Sequence, residues 1–377
     1  MKIGIEAKWL FHGPPSGQRV VRNLIRGLAD VATNDEIHLI LDTRARDRAL
    51  PIDIPENRCH YVWARNNQLA NLFVVPRVAD RAGLDAVVYQ NFVPPRASAR
   101  HVRIAFVNDV IFESHPEFFT RSERLYFKSL RFLTSTADRV CTLSDSEAAR
   151  LVRFNYTTAD RVDVVRMGVD DTFAPREHMS RLSVEALFER LDVPENFVLY
   201  AGRLNVRKNV ATLIRAMAHV STSDLELVVV GARDATSADF EEIARDAGVV
   251  NRVRFFGPLD DEALSILYAA ASVFCFPSFD EGFGLPPLEA MASGTPTIVS
   301  NAPAMMETCG DAAVYVDPND PHDIARAIDA LVADPERCTA LRYAGLERAR
   351  SYTWNDAAHR LLGSVHAAVR DARHPAV

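Results

Sequence analysis

The run Phe197-Val198-Leu199-Tyr200-Ala201-Gly202-Arg203-Leu204-Asn205-Val206-Arg207-Lys208-Asn209 sets the architecture of this chain. Five apolar residues make a buried strand. A glycine then turns the backbone tightly, and the amphipathic stretch 210–220 makes a helix. A strand that feeds a helix through a glycine loop is half of a βαβ unit, and such units pair their strands in parallel. The alternation extends outward on both sides. Strands are expected at 2–7, 37–41, 86–89, 102–107, 140–143 and 162–166 before it, and at 225–230, 252–256, 273–276, 297–299 and 313–316 after it. Helices are expected at 17–31, 68–82, 116–136, 145–154 and 180–191, and at 239–247, 260–270, 287–292, 322–333, 335–351 and 355–370. Near Met167-Gly168-Val169-Asp170 the pattern pauses in a turn and linker. The expected fold is α/β: two Rossmann-like, doubly wound parallel-sheet domains, residues 1–172 and 173–354, facing across a cleft. Ligands of such sheets bind beyond the carboxyl ends of the strands.

Composition narrows the function. The 377 residues are 48% hydrophobic and 25% charged, an ordinary globular mix that excludes wholesale disorder. No apolar run approaches the roughly 18 residues of a membrane span. The N-terminus runs directly into a strand pattern without the features of a leader, so a cytoplasmic location is expected. The five cysteines form no CxxC pair, so a zinc or redox motif is not expected. Residues 1–172 carry 24 Lys/Arg against 21 Asp/Glu, whereas the rest carries 19 against 29. The acidic second half argues against nucleic acid as a partner.

The loop after 197–201 places Arg203 and Lys208 beside a helix N-terminus, which suits a diphosphate. Lys208 is one of four lysines in a chain with 39 arginines. A basic solvated loop is the alternative. A second strand, loop and helix unit reads Phe276-Pro277-Ser278-Phe279-Asp280-Glu281-Gly282-Phe283-Gly284-Leu285-Pro286-Pro287-Leu288-Glu289. Its glycines permit close backbone approach, and Pro286 or Pro287 fits a first helical turn. Glu281 and Glu289 are acceptors suited to vicinal hydroxyls. A GxGxxG fingerprint fails because Pro287 fills the third glycine position, which disfavours a dinucleotide dehydrogenase.

The Gly202-Arg203 … Lys208 loop and the Glu281-x7-Glu289 element together resemble glycosyltransferase family 4. The resemblance implies a GT-B fold and a retaining, metal-independent enzyme that uses a nucleotide-diphosphate sugar and needs no cofactor. It implies that Gly202, Arg203 and Lys208 hold the donor diphosphate and that Glu289 binds the ribose. It also implies that Glu281 touches the donor sugar at the reacting centre, with the Phe283-Gly284-Leu285 backbone against sugar and phosphate. In Gly13-Pro14-Pro15-Ser16-Gly17-Gln18-Arg19, Gly17 and the amides of Gln18 and Arg19 match the family's N-terminal glycine loop, although the diglycine is absent. At Asn108-Asp109 many relatives have His-Asp. Asn108 retains hydrogen bonding but cannot take a proton, and Asp109 is the candidate for an acceptor hydroxyl. His115, Glu117, Asp145 and Ser146 read as helix caps, while Ser144 is placed to reach the cleft. The terminal helix, with residues 355–377, is expected to return to the first domain.

The form of the 279–287 loop and the stretch Asn108-Asp109-Val110 … His115-Pro116-Glu117 resemble bacterial mannosyltransferases of polysaccharide assembly. GDP-mannose is the favoured donor, ahead of UDP- or dTDP-sugars. The acceptor is expected to be a glycan hydroxyl, lipid-linked in one version. The interleaved aromatics and cations of Tyr126-Phe127-Lys128-Ser129-Leu130-Arg131-Phe132 fit either a peripheral membrane contact or a core helix with basic edges. A sugar-nucleotide epimerase, or a non-catalytic nucleotide-sugar-binding protein, is the competing reading.

Overall fold

Two parallel sheets, each built from short Val-, Ile- and Leu-rich runs, organise the chain in this computed structural model. It describes residues 1–12, 15–63, 66–234 and 237–373. Two compact units divide the chain: 1–114, 121–168 and 352–377 form the first, and 115–120 and 169–351 the second. The sequence placed its breaks at 172/173 and 354/355, and it left 115–120 with the first unit.

In the first unit the strands are β1 (Lys2–Glu6), β2 (Glu36–Asp42), β3 (Cys59–Val62), β4 (Ala86–Gln90), β5 (Val102–Phe106), β6 (Arg139–Thr142) and β7 (Val162–Val164). They run parallel in the order β3-β2-β1-β4-β5-β6-β7. Ile3 pairs with Ile37 on one side and with Ala86 on the other, and both neighbours are fully or nearly fully buried. A strand covered on both faces needs continuous apolar character, which is what made these runs legible. The edge strand β3 was not expected. Its Cys-His-Tyr-Val run is mostly half-buried and lacks the apolar signature.

Helix α1 (Pro15–Val31) follows β1, and α2 (Asp145–Arg153) follows β6. Ser144 caps α2: its hydroxyl accepts the Glu147 N–H at 3.1 Å, and the residue is fully buried. This corrects the expectation that Asp145 or Ser146 caps the helix and frees Ser144. The terminal helix (Trp354–Arg373) returns to this unit and packs across α1. Gly27 permits the approach, because a Cβ there would lie 2.6 Å from the Trp354 carbonyl oxygen. Ser364 on the same helix donates to Asp163 Oδ2 at 2.6 Å and fixes the helix against β7.

Two long expected helices are broken. The stretch 68–82 contains a π turn at Ala70–Val74, just before Pro76, which has no N–H for the ladder. The turn buries Asn71, whose Nδ2 donates to Glu6 Oε2 at 3.2 Å. The stretch 116–136 splits into a 3₁₀ turn (Pro116–Phe118) and helices Arg121–Phe127 and Leu130–Ser135. Its first residues leave the first unit because Phe118 stacks on Phe279, with centroids 5.5 Å apart.

In the second unit the strands are β8 (Phe197–Ala201), β9 (Glu226–Val230), β10 (Val253–Gly257), β11 (Val273–Phe276), β12 (Thr297–Ser300) and β13 (Val314–Val316). Their parallel order is β10-β9-β8-β11-β12-β13. The order reverses between β8 and β11, whose registers pair Val198 with Val273. Connections leave this point in opposite directions and open a crevice beyond the strand ends. Helices α3 (Val210–Ala216), α4 (Asp261–Ala270), α5 (Leu285–Ala292) and α6 (Pro303–Cys309) supply the elements that matter below.

Candidate functional site

Both loops that the sequence singled out leave the two strands at the reversal of the second sheet. After β8, Gly202 donates its N–H to the Val230 carbonyl at 3.0 Å. The Asn205 carboxamide accepts the Lys208 N–H at 3.2 Å and caps the 3₁₀ turn Val206–Lys208. Asn209 adopts a left-handed conformation, φ 57°, which asparagine tolerates better than most residues. Its buried Nδ2 donates to the Pro277 carbonyl at 2.9 Å and to the Pro318 carbonyl at 2.7 Å. The turn carrying the cations is thus bolted to the loop after β11.

That bolt brings Lys208 and Glu281 together across 73 residues of chain. Lys208 Nζ donates to Glu281 Oε1 at 2.6 Å. Arg207 Nη1 donates to Glu281 Oε2 at 2.9 Å and to the Asp280 carbonyl at 2.7 Å. Asp280 Oδ1 accepts the Glu281 N–H at 2.8 Å. Lys208 Nζ also lies 4.9 Å from the centre of the Phe276 ring. Glu281 is 7% exposed. Burial alone would raise its carboxyl, but the Arg207 and Lys208 charges outweigh that and bring it down to about 2. The site therefore holds two cations and the carboxylates of Glu281 and Asp280, with Lys208 against the Phe276 ring.

Arg203 stands apart from this group. Its side chain is 58% exposed and its Nε is 3.5 Å from Asp234 Oδ2. Arg207, to which the sequence reading gave no role, occupies the place beside Glu281. The signal was its position next to Lys208, but the facing of adjacent residues in a 3₁₀ turn is set by the tertiary bolt.

On the far side of the loop, Gly284 (φ +123°) precedes the first turn of α5. A Cβ there would lie 2.6 Å from the terminal methyl of Met305, which can shift, so it is the positive φ that makes a side chain costly here. Thr308 of α6 donates to the Phe283 carbonyl at 2.8 Å and fixes the approach. Leu285 opens α5, so its backbone N–H belongs to the first, unpaired turn of that helix. Glu289 lies on α5, 4% exposed, and accepts the Tyr268 hydroxyl at 3.1 Å. The Tyr268 contact was not foreseen.

The first-unit candidates sit on their own sheet. Gly17 and Gln18 lie in the first turns of α1, which begins two residues before the expected start at Gly17, and Gly13 and Pro14 of the same motif lie outside the described residues. Asn108 and Asp109 follow β5 and are half-buried. Asp109 Oδ1 accepts the Ile111 N–H at 3.4 Å. The fully buried Glu147 accepts the Val110 N–H at 2.7 Å and pairs with Arg150 at 2.8 Å, which anchors this loop. At the reversal of the first sheet, between β1 and β4, buried Glu6 pairs with Lys8 at 3.1 Å and accepts the Gln90 N–H at 3.1 Å. His115 makes no cap, contrary to expectation: Nδ1 contacts Glu117 Oε1 at 3.0 Å and Nε2 is 3.8 Å from Asp280 Oδ2. Among the described residues no group of three His, Cys, Asp or Glu converges as metal ligands, and no helix is long and apolar enough to cross a membrane.

Comparison with known proteins bears on this arrangement. A family model described as glycosyl transferases group 1 matches residues 185–348, and one described as glycosyltransferase family 4 matches residues 17–173. An O-antigen chain mannosyltransferase B of Escherichia coli is 30% identical, over 71% of this chain and 70% of its own length. A D-inositol 3-phosphate glycosyltransferase of Corynebacterium kroppenstedtii is 31% identical, over 64% of this chain and 56% of its own. Among solved structures, sucrose-phosphate synthase of Thermosynechococcus elongatus superposes with a TM-score of 0.75 at 22% identity, covering 99% and 100% of the two chains. The Anabaena protein HepE in complex with UDP and glucose gives 0.74 at 18% identity, covering 97% and 100%. These two likenesses establish the fold, two parallel-sheet α/β domains of the GT-B kind.

Proposed function

The chain belongs to glycosyltransferase family 4, group 1, and from this premise we propose that it moves a mannosyl residue from GDP-mannose to a hydroxyl of a glycan acceptor in surface polysaccharide synthesis. One observation carries the proposal: Arg207 and Lys208 converge on buried Glu281 at the strand reversal, in front of the helix start at Gly284. A diphosphate leaving group develops negative charge as the glycosidic bond breaks. Two preset cations and the Leu285 N–H at the start of α5, where Pro286 and Pro287 have no N–H to add, stabilise that charge without reorganising. Without donor, Glu281 neutralises the cations. With donor, the pyrophosphate shares them, and the carboxylate is left to accept hydroxyls of the sugar.

In this reading Glu289, oriented by Tyr268, takes the ribose. Gly202 and the Phe283-Gly284-Leu285 backbone line the path of the diphosphate. Arg203 closes over it from the exposed side, while Gly17, Gln18, Asn108 and Asp109 serve the first unit's side of the reaction. The proposed transfer retains anomeric configuration by front-face substitution: the departing phosphate oxygen takes the acceptor proton as the new C–O bond forms. It requires neither metal nor cofactor. The sugar assignment rests on the mannosyltransferase relative, and UDP- or dTDP-sugars are the competitors.

A thermal-shift panel of GDP, UDP, dTDP and ADP with their sugars tests the donor. At 100 times its dissociation constant, GDP-mannose is expected to stabilise by about 2.7 kcal/mol. If none of the panel shifts the transition, the donor site is wrong.

The proposed setting is the cytoplasmic face of a membrane, with peripheral contact through the first unit. Leu125 and Phe132 are 71% and 69% exposed on the helices Arg121–Phe127 and Leu130–Ser135, among exposed Arg124, Lys128 and Arg131. Apolar side chains flanked by cations suit an anionic lipid surface. Co-sedimentation with phosphatidylglycerol vesicles is expected to fall several-fold in the Leu125→Ser, Phe132→Ser double variant. Equal partition of both proteins would remove the membrane contact.

A further inference from the structure

The second unit contains a cavity of about 610 Å³ that the donor reading leaves unused. It is walled by the 115–118 turn, by Phe279, and by the loops that follow β12 and β13. We propose that this cavity is a saccharide subsite, which holds a neutral sugar unit of the acceptor glycan next to the unit that reacts. The acceptor assignment rests on the glycosyltransferase reading above; the saccharide chemistry does not.

Three features point to an uncharged polyol. The first is an aromatic face. His115, Phe118 and Phe279 form a continuous stack, with centroids 5.1 Å and 5.5 Å apart and planes within 21° and 12°. Phe118 and Phe279 are only half-buried, and both line the cavity. Rings that stack on one another leave their half-exposed edges and outer faces to a ligand, an apolar surface at low entropic cost that suits the C–H face of a pyranose ring. The second is the polar rim. Glu117, Asn301, Asp317 and Asn319 are exposed around it, and carboxylates with carboxamides accept from and donate to hydroxyls. The third is charge. The lining contains two carboxylates and neither lysine nor arginine. That combination repels a phosphate and favours a neutral ligand, whereas the diphosphate has its own cations at Arg207 and Lys208. The volume lies within the usual range of ligand pockets, about 300–1,000 Å³.

The cavity is also built into the donor site. Its rim loop is preorganised: Asp317 Oδ1 accepts the Asn319 N–H at 2.8 Å and its Nδ2 at 3.1 Å. Pro318 in the same loop accepts from Asn209, the residue that locks the Lys208 turn. Phe279 stands two residues before Glu281, and its N–H donates to the Arg207 carbonyl at 2.9 Å. His115 touches the rim at Glu117 and reaches toward Asp280, which in turn accepts the Glu281 N–H. A sugar on the Phe118–Phe279 platform therefore lies beside the carboxylate assigned to the reacting sugar.

The probes are methyl α-mannopyranoside and an α-linked mannobiose, with saturation-transfer NMR and titration on the full chain. Both probes are expected to receive saturation in the wild type. Phe118→Ala is expected to weaken mannobiose binding at least tenfold, while the thermal shift from GDP-mannose stays unchanged. Phe118→Trp keeps a platform and is expected to retain binding, which separates lost recognition from lost folding. In turnover, Phe118→Ala is expected to raise the acceptor KM with little change in kcat. Saccharide binding that is absent from the wild type, or equal in Phe118→Ala and wild type, overturns the subsite. A weaker GDP-mannose shift in Phe118→Ala overturns it in favour of a donor role. If no nucleotide sugar binds the wild type at all, the donor reading fails, and the saccharide titration still decides the cavity.

Discussion

Replacing Lys208 with alanine is expected to lower kcat by about 10²–10³-fold, the loss typical of removing one preset donor from a developing anion. The same change is expected to abolish most of the thermal shift from the nucleotide-sugar donor. Lys208 is suited to this role by geometry as well as charge. Its ammonium lies between Glu281 Oε1 and the face of Phe276, on a turn bolted through Asn209 to two carbonyls. Arginine at this position is not expected to restore activity, because a planar fork does not fit where a compact ammonium sits between a ring and a carboxylate. Arg203→Ala is expected to lose less, since its guanidinium is more than half exposed beside Asp234. Single-turnover kinetics and thermal shift on the three variants check the order. An unaltered donor shift in Lys208→Ala removes Lys208 from the site.

The second large effect concerns acid. The folded Glu281 carboxyl titrates near 2, below the ordinary 4.5 of a glutamate, because Arg207 and Lys208 outweigh the cost of burying it. A depressed carboxylate contributes stability that is fully present above the unfolded value and is lost as pH falls toward the folded one. The window is therefore about pH 4.5 down to about 2, and the contribution is about 3 kcal/mol. Glu281→Gln is expected to lower stability at pH 7 by a similar amount, because two half-buried cations lose their counter-charge. The variant should then show a flatter acid limb, so that its stability curve meets the wild-type curve near pH 2. Urea unfolding from pH 7 to pH 2.5 measures both. Parallel curves for the two proteins would show that Glu281 carries no such linkage.

Much of this protein is local in origin. The central strands of both sheets are largely apolar runs covered on both faces and are legible for that reason, whereas the polar edge strand Cys59–Val62 is not. The glycine at 284 is legible too, because it stands between a strand and a helix where the backbone takes a positive φ, +123°. Helices failed where a distant partner intervened. The 116–136 stretch has a helical pattern, yet its first turn is drawn to Phe279 and the remainder divides to place Phe127 on Phe112, with ring centres 5.0 Å apart. Ser144 is placed by the sequence to reach the cleft, with Asp145 or Ser146 as the cap; the backbone instead uses the Ser144 hydroxyl to close the turn.

The sequence by itself determined the parallel α/β architecture and the strand, loop and helix junctions that carry the cationic loop and the two glutamates. Those features follow from periodicity, glycine sterics and charge, which act over a few residues. Only the tertiary structure decided that Arg207, not Arg203, stands with Lys208 on Glu281, and that His115, Phe118 and Phe279 share one cavity wall. Each of those meetings joins segments at least 73 residues apart, or turns on which face of a tight turn looks inward. Such contacts are set by the order of strands in the sheet and by buried locks such as Asn209, and no local propensity encodes them.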